Sequence, residues 1–230
     1  KIASLLLAHY GPGLRIALTA PTGKAAMRLS ESVASQIPFL PVDDSMKDLL
    51  PREAQTLHRF LGVRKYSPSF RFNANRPLPW DVVIVDEASM VDLALMSKLV
   101  AALAKGTRLI LLGDKDQLAS VESGAVLSEC IRVLSENVVE LHIAHRFNKE
   151  ISKVSQYINN GDGDSALSMI EDRKVTSVVH AESGWLDFCG DHYERYLQKV
   201  KEFDSGEALP SLFQLFASFR ILCAMKNGVL

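Results

Sequence analysis

The first half of the chain repeats one hydrophobic design three times. An apolar run at 14–19 (LRIALT) turns polar at Pro21-Thr22-Gly23 and passes into a helical pattern. A second run, DVVIV at 81–85, meets Asp86-Glu87 and then a helical pattern through about Val100. A third, LILL at 109–112, stops at Gly113-Asp114. Near-continuous Val, Ile and Leu suits strands buried on both faces of a parallel sheet, with the intervening helices as crossovers. In such sheets ligands sit beyond the carboxyl ends of the strands. All three polar clusters fall there.

The remaining pattern predicts less regular pieces. The opening KIASLLLAHYGPG reads as the tail of an amphipathic helix ended by Gly11-Pro12-Gly13. REAQTLHRFLG predicts a short helix after a loop. Residues 64–80 carry basic, aromatic, Pro and Asn positions, as a small hairpin insertion or a long surface loop would. Beyond Glu140 the texture changes. LHIAHRF predicts a strand or turn, helical patterns run to about Ile170, and GDGDS is a turn without the acidic spacing of a calcium loop. KVTSVVHA and FRILCAM are strand candidates, and GWLDFCGDHYERYLQKVKEF a helix.

Composition narrows the class. The 230 residues, 47% hydrophobic, suffice for one or two domains. A net charge of −1 gives no overall attraction to nucleic acid, so such binding has to come from local placement of Lys, Arg and backbone N–H groups. Three scattered cysteines, Cys130, Cys189 and Cys223, form no CxxC pair and fit a reducing cytoplasm. No apolar run is long enough to span a bilayer.

The chemistry centres on Asp86-Glu87. A strand-terminal Asp suits Mg²⁺, and the following Glu can orient and deprotonate a water. The competing reading is a helix N-terminus, where acids favour the dipole. Gly113-Asp114 with Gln117 forms a second cluster: the Gly lets backbone approach a ligand, and Gln117 reaches a γ-phosphate or its attacking water. An ordinary turn with an Asp cap explains that cluster equally well. APTGKAA, residues 20–26, is not a phosphate loop, since Leu18 stands where the first Gly belongs and Ala25 follows Lys24. Its Thr22, Gly23 and Lys24 still suit one phosphate at a helix start, of a nucleotide or of a nucleic-acid backbone. His58-Arg59 and His145-Arg146 carry little alone.

Together, APTGKAA, TLHRFLG, VVIVDEASMVD, LLGDKDQLASVESGAVL and HRF resemble superfamily 1 DNA helicases of the RecD family, the alpha subunits of exodeoxyribonuclease V. The resemblance runs from Leu14 to about Asp162. It implies a RecA-like P-loop NTPase fold: an α/β domain 1A over 1–140, a small 1B-like insertion about 64–80 of the kind implicated in parting duplexes, and part of a second RecA-like domain 2A over 141–230. It implies single-stranded DNA contacts at Pro21, Thr22 and Lys24 (motif Ia) and at Thr56 and His58 (motif Ib). Asp86 would hold Mg²⁺ and Glu87 act as catalytic base (motif II). Asp114 and Gln117 would couple the γ-phosphate of ATP to the DNA track (motif III). Arg146 would be an arginine finger (motif IV). The implied activity is ATP-driven 5′→3′ movement on single-stranded DNA, entering at duplex ends, with RecB-like and RecC-like subunits in double-strand break repair and recombination. The Walker A loop and the late C-terminal motifs lie outside the chain, so the expectation is an internal fragment with little ATPase activity of its own. The alternatives are a stand-alone RecD-like or relaxase-associated helicase, or a non-catalytic scaffold.

Overall fold

A computed structural model of the chain describes residues 1–65, 67, 69–115, 117, 126–141, 148–172, 175–181, 183–202 and 209–222. The chain divides into two compact units, Lys1–Leu141 and His142–Leu230.

The first unit contains α1 (Ile2–Tyr10), β1 (Ile16–Ala20), α2 (Gly23–Gln36), α3 (Asp44–Leu49), β2 (Ala54–Thr56), α4 (Leu57–Leu61), β3 (Val82–Val85), α5 (Leu93–Ala102), β4 (Arg108–Leu111) and α6 (Val126–Val133). The four strands form a parallel sheet in the order β2-β1-β3-β4. This is the parallel, helix-flanked architecture expected of a RecA-like domain.

Alternation along each strand feeds two cores. Ile16, Leu18, Val82 and Ile84 pack on one face with Leu7, Ile37 and Leu50. Ala17, Val83 and Val85 pack on the other with Leu57, Leu61, Leu95 and Leu99. Each such buried Val or Leu contributes about 1.5–3 kcal/mol through burial. The central strands β1 and β3 are buried along their whole length, whereas edge strand β4 is half-exposed. That difference is why the central runs read so clearly in the sequence.

At the amino end of the sheet, Arg15 ties β1 to β3. Its guanidinium donates to both carboxylate oxygens of Asp81, at 3.0 and 2.9 Å, and its backbone N–H donates to the same carboxylate at 2.9 Å. The Arg15 carbonyl accepts from Asp81 N and Val82 N, and Arg108 N donates to the Asp81 carbonyl. This one Arg–Asp pair thus ties together the starts of three strands.

One local expectation changes. The piece at 52–62 is not wholly helical: Ala54, Gln55 and Thr56 pair with Leu18, Thr19 and Ala20 as β2, and only Leu57–Leu61 is helix. Of the two forms open for 64–80, the described residues suit the loop: they hold no strand of their own, and Asn73 and Arg76 make one isolated antiparallel bridge.

The second unit contains α7 (Lys149–Asn159), α8 (Gly163–Glu171), α9 (Trp185–Lys201) and α10 (Leu209–Ser218). Val154, Ala166 and Val175 form its small core. The expected strand around 174–181 is absent from 175–181. There the Glu150 carboxylate takes the Thr176 N–H at 3.0 Å and the Ser177 hydroxyl at 3.1 Å, so the segment is tied to a helix side chain rather than to a strand. Those bonds, the Thr176 N–H foremost, hold the Glu150 carboxyl below its ordinary pKa. The expected strand at 219–225 is likewise not seen over 219–222, where the Phe219 ring packs on Phe188, His192 and Tyr193 of α9. Residues 142–147 and 223–225 lie outside the described residues.

Candidate nucleotide and strand-binding rim

The parallel register brings the carboxyl ends of all four strands to one rim. Ala20 lies beside Thr56, Thr19 beside Val85, and Val85 beside Leu111. Backbone bonds continue past the strands: Asp86 N donates to the Thr19 carbonyl at 2.9 Å, and Ala88 N to the Leu112 carbonyl at 2.8 Å. Pro21, Thr22 and Lys24 from β1–α2, Thr56 and His58 from β2–α4, Asp86 and Glu87 from β3, and Asp114 after β4 therefore emerge on one edge. Thr19, fully buried beneath them, donates its hydroxyl to the Ile84 carbonyl at 3.0 Å.

Asp86 and Glu87 are half-buried, and among the described residues their carboxylates have no hydrogen-bond or ion-pair partner. Glu87 has φ 53° and ψ 40°, making it the non-glycine residue with positive φ in the described chain. Such a conformation costs about 1–2 kcal/mol for an L-residue, and strain of this kind concentrates at functional sites. No α-helix begins at this pair. The pair leads into a short 3₁₀ turn, Ala88–Met90, and α5 begins only at Leu93 with Asp92 as its cap, accepting from Leu95 N at 2.7 Å.

Gly113 permits close approach of protein backbone and side chain. A Cβ at this position would meet Leu127 Cδ2 at 2.7 Å, Ser89 N at 3.1 Å and Ala88 N at 3.3 Å. The end of β4 thus packs directly on the turn that carries Glu87. In that turn the Ser89 hydroxyl is buried and has no partner among the described residues. Sequence reasoning passed over Ser89, because a small hydroxyl gives no signal until its burial is known.

Thr22 and Thr56 play equivalent parts. Thr22 Oγ1 accepts from Ala25 N, capping α2, and Thr56 Oγ1 accepts from Arg59 N, capping α4, both at 3.2 Å. Each oxygen is used as an acceptor, which leaves the hydroxyl hydrogen to donate elsewhere. Lys24 and His58 are exposed, and the His58 ring meets Phe70 edge-on, 5.9 Å between centroids.

Asp114 and Gln117 are exposed, with Gln117 N donating to the Asp114 carbonyl at 3.4 Å. Arg146 lies outside the described residues. No cluster of three metal-ligating side chains occurs among those described. A cavity of about 480 Å³ is lined by Leu14, Arg15, Arg52, Glu53 and Trp80, which lead into β1, β2 and β3. It lies at the opposite end of the strands from the acids. No helix among the described residues is long and apolar enough to cross a membrane.

Comparison with known proteins places this geometry in context. A family model described as an AAA domain matches residues 2–181. RecBCD enzyme subunit RecD of Mycolicibacterium smegmatis is 41% identical over 228 residues, covering 94% of this chain and 39% of that protein. The RecD subunit of Haemophilus influenzae is 38% identical over 269 residues, covering 94% and 42%. The ATP-dependent RecD2 DNA helicase of Deinococcus radiodurans is 44% identical over 116 residues, covering 50% and 13%. The chain therefore spans about two fifths of the length of the RecD subunits it matches.

Proposed function

The chain belongs to the AAA domain family and is a RecD-like member of it, and from that premise we propose that it forms the catalytic rim and strand-binding face of an ATP-driven DNA helicase. The observation that carries this reading is the pair of half-buried carboxylates at the end of β3, without partners among the described residues, with Glu87 held at positive φ.

The reading assigns each group a task. Asp86, a hard oxygen donor without a partner among the described residues, fits Mg²⁺, which would offset phosphate charge when bound. Glu87 orients the water that attacks the γ-phosphorus and accepts its proton as ADP departs. Asp114 and Gln117, carried on the backbone that Gly113 packs against Ala88 and Ser89, sense the γ-phosphate and pass its state to the strand-binding side. Pro21, Thr22, Lys24, Thr56 and His58 hold single-stranded DNA, the two threonine hydroxyls and Lys24 donating to phosphates. Arg146 is the arginine finger. Division at Leu141 into two units suits domains 1A and 2A.

The finer reading extends to the cell. The protein moves 5′→3′ from duplex ends, acts in the cytoplasm in double-strand break repair and recombination, and works with RecB-like and RecC-like subunits. The match to RecD2 favours one alternative, a motor acting without those subunits. Purification of the tagged full-length protein from its own cells separates the two by what accompanies it.

The central test is ATP hydrolysis by the full-length protein with and without single-stranded DNA. DNA-stimulated turnover that collapses in Glu87→Gln, with DNA binding retained, is the expected result. Turnover unchanged in that variant would overturn the assignment.

A further inference from the structure

The charge of this chain is unevenly spread. Between Glu53 and Asp81 there is no acidic residue, while Arg59, Arg64, Lys65, Arg71 and Arg76 all fall there, in a chain whose net charge is −1. All five are exposed. This is the local concentration of positive charge that overall composition concealed.

Two of these side chains are held in a particular way. Arg71 and Arg76 place their guanidinium carbons 5.5 and 5.8 Å from the centroid of the Phe72 ring. Phe72 is itself anchored, packing partly buried against the core beneath α4 and α5. The backbone fixes the arrangement. Arg71 N donates to the Gly62 carbonyl at 2.8 Å and Phe72 N to the Leu61 carbonyl at 3.0 Å, tying the segment to the end of α4. Asn73 and Arg76 exchange backbone bonds at 3.0 and 2.9 Å, and Asn73 Oδ1 accepts from Asn75 N at 3.0 Å, closing the turn that brings Arg76 back over the ring. Neither guanidinium has a carboxylate partner among the described residues.

Two like charges gathered on one ring repel each other, and no acid among the described residues relieves them. An external anion does. The guanidinium fork matches phosphate oxygens, and holding it against an aromatic ring lowers the entropy lost on binding. We propose that Arg71 and Arg76, held over Phe72, form a clamp for the phosphate backbone of a polynucleotide, extending the strand-binding face beyond Thr56 and His58. The proposal rests on the helicase reading and adds a contact which that reading does not contain.

The test is equilibrium binding of the full-length protein to a labelled single-stranded oligonucleotide, and to a fork carrying the same strand, across a salt series. Replacing both arginines (Arg71→Ala with Arg76→Ala) is expected to weaken binding about tenfold or more near physiological salt and to lower the log–log salt slope by about 1–2, one phosphate per lost cation. Arg71→Lys with Arg76→Lys restores the slope. The Lys pair separates charge from folding, and both pairs are checked against the parent by thermal melting. Loss on the single strand assigns the clamp to the tracked strand; loss confined to the fork assigns it to the duplex arm. An unchanged slope in the alanine pair overturns the clamp. So does displacement of DNA by polyglutamate at equal charge, which would make the site a generic acceptor of acidic chains. Lys24→Ala distinguishes the two levels. If it weakens binding and the arginine pair does not, the clamp fails and the helicase reading stands. If the full-length parent binds no DNA, both fail.

Discussion

Gly113 packs against Ser89 so closely that a Cβ on the glycine would lie 3.1 Å from the serine backbone nitrogen. The end of β4 and the turn after β3 are therefore one packed unit, joined further by the Ala88 N–H to Leu112 carbonyl bond at 2.8 Å. Gly113→Ala is expected to destabilise the first unit by about 1–3 kcal/mol, the usual range for overpacking. Urea unfolding measures this. The same variant should lower ATP turnover in the full-length protein while leaving DNA affinity intact, because it displaces the turn that carries Glu87 and not the strand-binding helices. Wild-type stability would show that the turn yields freely.

Glu87 gives a sharper contrast, since its strain is in the backbone. Asn tolerates the left-handed region, whereas a β-branched residue does not. Glu87→Asn should match or exceed the parent in stability, by up to about 1 kcal/mol, and Glu87→Val should lose about 1–2 kcal/mol. Both should abolish turnover. Equal stability of the two variants, measured by denaturant midpoint, would mean that the positive φ costs nothing.

The Arg15–Asp81 pair predicts a pH dependence. The hydrogen bonds from the Arg15 side chain and backbone hold the Asp81 carboxyl down at about 2, from an ordinary 3.8. A carboxyl depressed on folding adds stability above its unfolded pKa and loses that stability as pH falls through the folded one. Asp81→Asn should therefore be less stable than the parent at pH 7, with the gap closing between about pH 4 and pH 2. Both side chains are well exposed, so the effect is modest and shrinks in high salt. A gap that stays constant down to pH 2 would remove the ion pair from the account.

Thr22 and Thr56 each cap a helix and each face the proposed strand. Thr→Ala at either position should cost about 1 kcal/mol through the lost cap and also weaken single-stranded DNA. Thr→Ser should restore both, because it keeps the hydroxyl. Restored stability without restored binding would assign these threonines to capping alone.

The central strands were legible because β1 and β3 are buried on both faces, so every position had to be apolar, and their acids and glycines then stood out at the ends. α5 and α9 were legible from apolar periodicity over ten and seventeen residues. β2 was not. Ala54-Gln55-Thr56 has no strand signature, and only the free edge of β1 makes it one. The segment at 175–181 has the opposite history: its Val-rich pattern suits a strand, but Glu150 takes the Thr176 N–H.

The same division runs through the site. Candidate residues such as Asp86, Glu87 and Lys24 were legible in the sequence alone, because each follows closely on an apolar run that reads as a buried strand. Tertiary structure alone decided that Gly113 packs against Ser89, that Ser89 is buried without a partner among the described residues, and that Phe72 gathers Arg71 and Arg76. Those facts depend on what lies across space from each residue. Short-range pattern carries no record of it, since close packing and like-charge proximity arise only once distant segments have met.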